Sequence, residues 1–363
     1  ADVWLCDGRK KNAVPYALLG QDAARRQIVN YYRGSGCITL KSMMVRTLGS
    51  YMRERGSDPW TVLPVTYILY PRKPPSAEPA QGLSAIAAAR EAAKRKKLEA
   101  EDERESMLEH HREAAAGGNT VSWILKSSAG GKGEGISISR DASELIASVD
   151  ACDKETAWVV SRYLERPMLF SGRKFDLRCW VLLDCDYAVH LFEEGVLRTS
   201  SFQYDDKDLG NKLQHLTNHC VQATAAEFGS HEEGNEVSFA QMEEYMQREC
   251  DGKTFHADIL PQLKSICCLA LEAGRGKMEV TDGSNLRQFQ LFGFDFMIDH
   301  EFKVWLIEIN GNPASRESLL PDMARGIVDT AITPHFARGG EVGGGGKGGP
   351  GPGGSPKFVR ISE

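Results

Sequence analysis

Two apolar runs near the C-terminal end of the chain constrain its fold more than any other feature. They cover residues 289–299 and 304–313, are rich in aromatic and branched side chains, and are separated by a short polar turn. Runs of this length and composition predict an antiparallel β-hairpin deep in a hydrophobic core. Asp295, Glu308 and Asn310 lie within the runs, and Glu308 and Asn310 are two positions apart, so we expect these two on the same face of a strand.

These three polar residues predict a divalent-cation site. Carboxylates inside a core are costly unless something pairs with them. Mg²⁺ takes hard oxygen ligands, and in proteins it commonly binds one or two carboxylates together with phosphate oxygens. Asp295, Glu308 and Asn310 are therefore candidate Mg²⁺ ligands. The alternative is a pair of buried acids that are held by arginines, and the residues alone leave both interpretations open.

The composition is that of an ordinary globular protein. The chain has 363 residues, 41% of them hydrophobic and 26% charged, enough for two or three packed units. No apolar run is long enough to span a bilayer and no secretory signal opens the sequence, so we expect no membrane partner. The net charge of −6 argues against a nucleic-acid partner. The 9 cysteines have irregular spacings, which indicates a reducing, cytoplasmic setting without structural zinc.

Residues 1–70 alternate short apolar runs with polar breaks, which predicts a small α/β domain. Residues 22–32 and 39–52 predict helices, and residues 65–70 predict a strand. Basic residues are dense in and just after this segment: Arg25, Arg26, Arg33, Lys41, Arg46, Arg53, Arg55, Arg72 and Lys73. They form either an ordinary solvated surface or a docking face for an acidic partner.

Two segments have a biased composition. Residues 83–116 are rich in alanine and charged side chains and contain few large apolar ones, which predicts an exposed helix or a mobile loop, and the mobile loop is favoured. Residues 339–354 are rich in glycine and proline and predict a disordered linker.

A glycine-rich turn follows Lys126. Residues 121–126 predict a strand that ends at this lysine, residues 127–135 contain the glycines, and residues 136–138 predict a second strand. Backbone N–H groups in such a turn can close over phosphates, and Lys126 at its mouth supplies positive charge. The turn lacks the Gly-Lys-Ser/Thr sequence of a Walker A loop, and glycine-rich hairpins without a ligand are common, so a purely structural turn is the alternative.

Charged residues alternate along residues 173–183. Lys174, Asp176 and Arg178 share one face of the predicted strand, while the other face is apolar. This pattern predicts the polar wall of a cavity, with a water-facing strand as the alternative. Residues 215–220 read His-Leu-Thr-Asn-His-Cys without a regular period, which indicates a loop whose histidines are structural or position a substrate rather than bind a metal.

Taken in chain order, these motifs resemble the tubulin–tyrosine ligase family over roughly residues 28–332. The resemblance is carried by residues 29–34, 126–130, 132–136, 195–201, 215–220, 232–236 and 289–314. The loop sequence Lys-Ser-Ser-Ala at residues 126–129 favours the tyrosine-adding branch, because the polymodifying relatives usually begin this loop with Lys-Pro. Two positions depart from the family pattern: Ser161-Arg162 replaces the usual Gln-Lys, and Asn312 replaces the usual alanine.

The resemblance implies an α+β fold, in which a small α/β N-terminal domain precedes an ATP-grasp unit of antiparallel sheets flanked by helices. The expected divisions are residues 1–75 for the N-terminal domain, 76–120 for a charged mobile linker or helix, 121–185 for the central ATP-grasp domain, 186–336 for the C-terminal ATP-grasp domain and 337–363 for a disordered glycine- and proline-rich tail.

The resemblance also implies an activity, the addition of free tyrosine to the C-terminal glutamate of detyrosinated α-tubulin through an acyl phosphate. The implied cofactors are ATP and Mg²⁺, with K⁺ as a further candidate ion. The implied partners are free tyrosine and the α/β-tubulin dimer with its acidic α-tubulin tail, and the chain itself is expected to be a cytoplasmic, cytoskeleton-associated monomer. The alternatives are a glutamate- or glycine-adding relative and a non-catalytic tubulin-binding protein.

Roles for individual residues also come from the resemblance. The expected ATP-binding residues are Lys41, Lys126, Gly131, Lys132, Gly133, Ser161, Arg162, Tyr163, Leu164, Lys174, Asp176 and Asn218. The expected catalytic residues are Arg178, Arg198, Thr217, Asn218 and Glu308, and those that hold Mg²⁺ are Asp295, Glu308 and Asn310. Activation of a carboxylate by ATP brings two anions together, which agrees with the number of lysines and arginines in this set.

Overall fold

The computed structural model describes residues 2–6, 14–16, 19–20, 27–72, 85–131, 133–152, 156–278, 285–336 and 357–362. Lys132, Arg25, Arg26, Lys73 and the whole linker predicted at 339–354 lie outside these residues, as does the beginning of the helix predicted at 22–32. The described part of that predicted helix is not helical, because Gln27–Val29 form a strand. The described part combines helices with largely antiparallel sheets, so the predicted α+β class is confirmed.

The helices and strands have the following bounds. The helices are α1 (Gly36–Thr39), α2 (Lys41–Arg53), α3 (Ala85–Glu101), α4 (Arg104–Ala116), α5 (Ala142–Asp150), α6 (Lys212–His215), α7 (His219–Gln222), α8 (Phe239–Glu249), α9 (Leu260–Met278) and α10 (Leu320–Ile327). The strands are β1 (Asp2–Trp4), β2 (Gln27–Val29), β3 (Thr66–Leu69), β4 (Trp123–Ser127), β5 (Ser137–Ser139), β6 (Trp158–Arg162), β7 (Leu169–Phe170), β8 (Arg173–Leu183), β9 (Val189–Gln203), β10 (Glu236–Ser238), β11 (Leu286–Gln288), β12 (Gln290–Ile298), β13 (Val304–Asn310) and β14 (Phe358–Arg360).

The larger sheet has 7 strands and contains the predicted hairpin. Its main order is β10-β9-β8-β12-β13, with β7 paired to β8 and β14 paired to β9. Strands β12 and β13 are antiparallel, and Asp295 lies opposite Glu308 next to an irregularity in the register. The aromatic side chains Phe292, Phe294 and Phe296 of β12 are fully buried in the main hydrophobic core, together with residues from α2, α8 and α9. The hairpin prediction is therefore confirmed.

A second sheet has 4 antiparallel strands in the order β3-β6-β4-β5. Strand β3 comes from the segment that the sequence assigned to a separate N-terminal domain, and it pairs with β6 beyond the predicted boundary at residue 75. The boundary predicted at residue 185 also falls inside one unit, because β8 and β9 on either side of it pair along most of their lengths. A third, parallel sheet joins β1 and β2 to the distant strand β11.

The prediction of a mobile segment is wrong for α4. Arg104 and Met107 are buried, and the Arg104 guanidinium contacts Asp102 at 2.8 Å and Asp150 at 2.9 Å. Met107 fits into the apolar cluster under the four-stranded sheet. Composition alone predicted a mobile segment because most of the surface of this helix faces water. A few buried contacts are nevertheless enough to fix the helix in place.

The prediction of a disordered tail is wrong for residues 357–362. Strand β14 pairs antiparallel with the edge of β9, where Phe358 lies opposite Phe192. Phe358 is buried, and its ring centroid is 5.0 Å from that of Phe192. Within the described ranges, no helix is long and apolar enough to cross a membrane.

Candidate active site

A large cavity opens where the four-stranded and seven-stranded sheets meet. Its volume is about 1130 Å³, including the space open to solvent. The predicted site residues that line it are Lys41, Lys126, Gly131, Gly133, Ser161, Arg162, Tyr163, Leu164, Lys174, Asp176, Thr217, Asn218, Asp295 and Glu308. Residues spread over most of the chain thus meet at one place, which agrees with their assignment to a single site.

The lining combines apolar walls with charged groups. The apolar side chains come from both sheets, from α2 and from connecting segments: Met44, Leu63, Ile124, Ile136, Val159, Leu216, Met297 and Leu306. Charged groups of both signs line the same cavity, among them Lys126 and Glu308. A ligand with a flat apolar part and a polyanionic part fits such a lining, because apolar walls stack a ring and lysines neutralise phosphates.

Two lysines, the buried Lys174 and the half-buried Lys126, make the cavity suited to an anion. The pKa of Lys174 is lowered to about 7: burial is the largest cause, the positive charge of Lys126 also lowers it, and Asp176 partly opposes both. Burial also lowers the pKa of Lys126, although Glu308 works in the opposite direction. A phosphate bound between the two ammonium groups would raise both pKa values, since it stabilises their charged forms. The pair is therefore a candidate phosphate site.

The glycine-rich loop closes one side of this cavity, as the sequence predicted from its position after Lys126. Gly133 has a φ of +79°, and a Cβ atom there would lie 2.8 Å from the side chain of Val221. Glycine is required at this position both for the backbone conformation and for the close approach to α7. Lys41 at the start of α2 fixes the loop from the other side, because its Nζ donates a hydrogen bond to the Gly130 carbonyl at 2.7 Å.

The acidic groups are paired with basic ones. Arg178 binds Asp295 through two hydrogen bonds, and Arg198 contacts Asp295 at 3.1 Å. Arg198 also binds Asp176 through two hydrogen bonds. Burial alone would raise the pKa of Asp295, but the charges of Arg178 and Arg198 outweigh it and hold that pKa well below its usual range. Asp295 is thus a buried acid held by arginines, which the sequence left open as the alternative to a metal ligand.

The same cluster is compatible with Mg²⁺. The Asn310 amide nitrogen lies 3.2 Å from Asp295 Oδ2 and 3.2 Å from Glu308 Oε1, so the three predicted ligands do converge. No group of three His, Cys, Asp or Glu side chains that could hold a metal occurs among the described residues. Two carboxylates and an amide are nevertheless a fitting donor set, since Mg²⁺ usually completes its shell with water and substrate phosphates.

Arg178, Arg198 and Asn310 do not line the main cavity. The two arginines pair with Asp176 and Asp295, whereas Asn310 lines a second cleft. This cleft has a volume of about 1320 Å³, including the space open to solvent. Lys41, Gly130, Gly131 and Glu308 line both cavities, so the two spaces meet at the acidic cluster.

Most residues of the second cleft received no role from the sequence. Tyr16, Tyr31, Arg33, Gln290 and Asn312 line it, and Asn312 is one of the two positions that depart from the family pattern. The signal that could have found this cleft is the Asn-Tyr-Tyr-Arg-Gly motif at residues 30–34, which carried the resemblance but was assigned no contact.

Two arginines of the predicted basic docking face form ion pairs within the chain. Arg46 contacts Glu101 of α3 at 2.8 Å, and Arg72 contacts Asp102 at 3.4 Å. Arg33, in contrast, is exposed and borders the second cleft. A negatively charged partner would therefore meet Arg33 more readily than the two paired arginines.

Comparison with known proteins identifies the relatives of this chain. The family model described as "Tubulin-tyrosine ligase family" matches residues 20–339. Tubulin glycylase 3B of Tetrahymena thermophila is 30% identical over 223 residues, which are 58% of this chain and 18% of the relative. Tubulin monoglycylase TTLL3 of Mus musculus is 30% identical over 212 residues, 55% of this chain and 22% of the relative.

A relative with a different printed activity is similar to about the same extent. Tubulin polyglutamylase TTLL5 of Mus musculus is 31% identical over 206 residues, which are 53% of this chain and 15% of the relative. The chain therefore spans only a small part, 15–22%, of the length of these three relatives.

Proposed function

Because the chain belongs to the tubulin-tyrosine ligase family, we propose that it is an ATP- and Mg²⁺-dependent ligase that joins an amino acid to a carboxylate of the acidic tubulin tail. The observation that carries this proposal is that Lys126 and Lys174 meet Asp295 and Glu308 in one cavity. Cationic groups suited to phosphates thus lie beside the oxygen groups that Mg²⁺ prefers.

The proposed reaction has two steps. A carboxylate oxygen of the tail attacks the γ-phosphorus of ATP, ADP leaves, and an acyl phosphate forms. The amine of the amino acid then attacks the acyl carbon, and phosphate leaves with one of the former carboxylate oxygens. Asp295, Glu308 and Asn310 would hold Mg²⁺, which supplies charge neutralisation at the phosphates.

The chain's own groups serve this chemistry by holding charge in fixed places. Lys126 and Lys174 lie where they neutralise phosphates, and Lys41 anchors the glycine loop next to Glu308. Preorganised charges of this kind stabilise a transition state without reorganisation at the moment of reaction. For Arg178 or Arg198 to position the tail carboxylate, that carboxylate would have to share the guanidinium groups with Asp176 and Asp295.

Three candidates remain for the amino acid that is added: glycine, glutamate and tyrosine. The relatives' names favour the alternative interpretation, addition of glycine or glutamate, over tyrosine. The loop sequence Lys-Ser-Ser-Ala at 126–129 favours tyrosine, and the second cleft, lined by Tyr16 and Tyr31, is wide enough for an aromatic side chain. The relatives are about 30% identical over little more than half of this chain, which supports the shared chemistry more strongly than the identity of the amino acid.

The test is incorporation of amino acids into tubulin. Detyrosinated tubulin, ATP and Mg²⁺ are incubated with the chain and with labelled tyrosine, glycine or glutamate in separate reactions. ATP-dependent incorporation of one of them supports the ligase and identifies its amino acid. If none is incorporated while the chain still binds tubulin, the non-catalytic alternative is correct.

A further inference from the structure

Two of the three N–H groups of the Lys174 ammonium donate hydrogen bonds to oxygens of the protein. Its side chain is buried, and Nζ donates one hydrogen bond to the Tyr163 hydroxyl and one to the His215 carbonyl, each at 2.8 Å. Among the described residues, these two oxygens are its hydrogen-bond acceptors. The third N–H bond is left for a ligand in the cavity that Lys174 lines.

The Tyr163 hydroxyl accepts a hydrogen bond from Lys174, so its own proton must point toward another acceptor. The hydroxyl lies 2.7 Å from Nδ1 of His215, and both residues are buried. Nε2 of His215 lies 2.8 Å from the carbonyl oxygen of Asp208, which can only accept a hydrogen bond. Nε2 therefore carries the imidazole proton, and Nδ1 accepts the proton of the Tyr163 hydroxyl.

These contacts form a chain of hydrogen bonds with one direction. His215 donates to the Asp208 carbonyl, Tyr163 donates to His215, and Lys174 donates to Tyr163. Burial lowers the pKa of His215, which favours the neutral ring that this arrangement needs. Each donor fixes the orientation of the next, because a buried polar group without a partner is costly.

We infer that His215 is a positioning residue for nucleotide binding: through the Tyr163 hydroxyl, it holds the Lys174 ammonium in place for a nucleotide phosphate. The inference rests on the proposed function, because it requires that the cavity binds ATP. His215 itself need not touch the nucleotide, and its effect passes through Tyr163.

Two amide substitutions test the contributions of Nδ1 and Nε2 of His215 separately. In His215→Asn, the amide oxygen takes nearly the place of Nδ1 and can still accept from Tyr163. In His215→Gln, the amide lies near the place of Nε2, so the bond to Asp208 is kept and the acceptor for Tyr163 is lost. Both variants remove the ring and both keep a polar amide, so each is the matched control of the other.

The experiment is calorimetric titration of each variant with Mg²⁺ and ADP, alongside its thermal unfolding. We expect ADP affinity within about threefold of wild type for His215→Asn and about tenfold weaker for His215→Gln, the size expected for a hydrogen bond to a charged group. Tyr163→Phe should also be about tenfold weaker. Adding His215→Gln to Tyr163→Phe should weaken binding no further, because the hydroxyl that links the two is already absent.

Four results would overturn the inference. Equal weakening by His215→Asn and His215→Gln, or additive effects of Tyr163→Phe and His215→Gln, shows that His215 does not act through the hydroxyl. If His215→Gln does not fold, unchanged ADP affinity in Tyr163→Phe alone contradicts the inference. Failure of the wild-type chain to bind ADP contradicts the proposed function as well, whereas the first three results leave it standing.

Discussion

The ammonium of Lys41 lies 2.8 Å from Oε2 of Glu308, so the start of α2 is tied to the C-terminal hairpin. The same ammonium donates to the Gly130 carbonyl of the glycine-rich loop. One side chain thus joins three distant segments at the point where the main cavity and the second cleft meet. Glu308 lines both spaces, and under the proposed function both a nucleotide and an acceptor carboxylate would reach it.

Glu308→Gln should abolish ligation while the fold remains intact. The change keeps the shape of the side chain but removes a charge that would hold Mg²⁺, and the loss of one such electrostatic interaction lowers kcat by about 10²-fold or more. The control is Glu301→Gln in the turn of the same hairpin, where the carboxylate is 76% exposed. Wild-type turnover of Glu308→Gln at saturating Mg²⁺ would contradict the metal assignment.

Lys126→Ala should weaken ATP binding much more than tubulin binding. Lys126 lines the main cavity and not the second cleft, so its loss removes a phosphate contact worth about tenfold in affinity. Nucleotide and tubulin titrations measure the two effects separately, with the exposed Lys207→Ala as control. Unchanged ATP affinity would count against a phosphate site at this strand end.

ATP binding should take up a proton at about pH 8. The pKa of Lys174 is lowered to about 7 without ligand, so most of this side chain is neutral there, and a bound phosphate would raise the pKa and recharge it. Nucleotide affinity should therefore fall as the pH rises above that pKa, by at most about tenfold per pH unit. Calorimetry with ADP in two buffers of different ionisation enthalpy detects the proton, and Lys174→Met should remove the part of the uptake that Lys174 contributes. Equal binding heats for the wild-type chain in both buffers would show that no proton is taken up and would refute this prediction.

Arg33→Glu should raise the KM for tubulin and flatten its dependence on salt. Arg33 is exposed at the second cleft, and exposed charges steer an oppositely charged partner over about 8–10 Å at physiological salt. The KM for ATP should stay the same, because Arg33 does not line the main cavity. Arg55→Glu is the control, since Arg55 stacks on Tyr51 outside both cavities. Equal effects of the two reversals would show that the cleft is not the docking face.

Phe358→Ala should destabilise the fold and Val359→Ala should not. Phe358 is buried against Phe192 on the edge of β9, whereas Val359 is 38% exposed. Loss of a buried phenylalanine costs about 3 kcal/mol or more, and an uncovered strand edge invites aggregation. Denaturant unfolding of the two variants measures the difference. Equal stabilities would mean that β14 contributes nothing to the native state.

Local patterns predicted the elements that carry the site, but their partners depend on distant segments. Alternation along 173–183 correctly grouped Lys174 and Asp176 on one face, yet only the register of β8 with β12 brings Arg178 opposite Asp295. The hairpin could be predicted because its aromatic runs and polar turn are contiguous. The contacts of His215 could not be predicted, since they need Tyr163, which follows β6, and Lys174 of β8.

Strand pairing crosses the predicted domain boundaries for the same physical reason. Composition changes near residue 75, but β3 finds its pairing partner in β6, and strand pairing rather than composition decides which residues share a unit. Strand β14 was missed because three residues after a glycine-rich stretch carry no periodic signal of their own.

The most direct test of the account follows the oxygen atoms of the tail carboxylate. A tail peptide whose terminal and glutamate side-chain carboxylates all carry ¹⁸O is incubated with the chain, ATP, Mg²⁺ and the amino acid that the incorporation assay identifies, and the released phosphate is analysed by mass spectrometry. Activation through an acyl phosphate predicts one ¹⁸O atom in the phosphate for each amide bond formed. Amide formation with no ¹⁸O in the phosphate would contradict the proposed chemistry of this site.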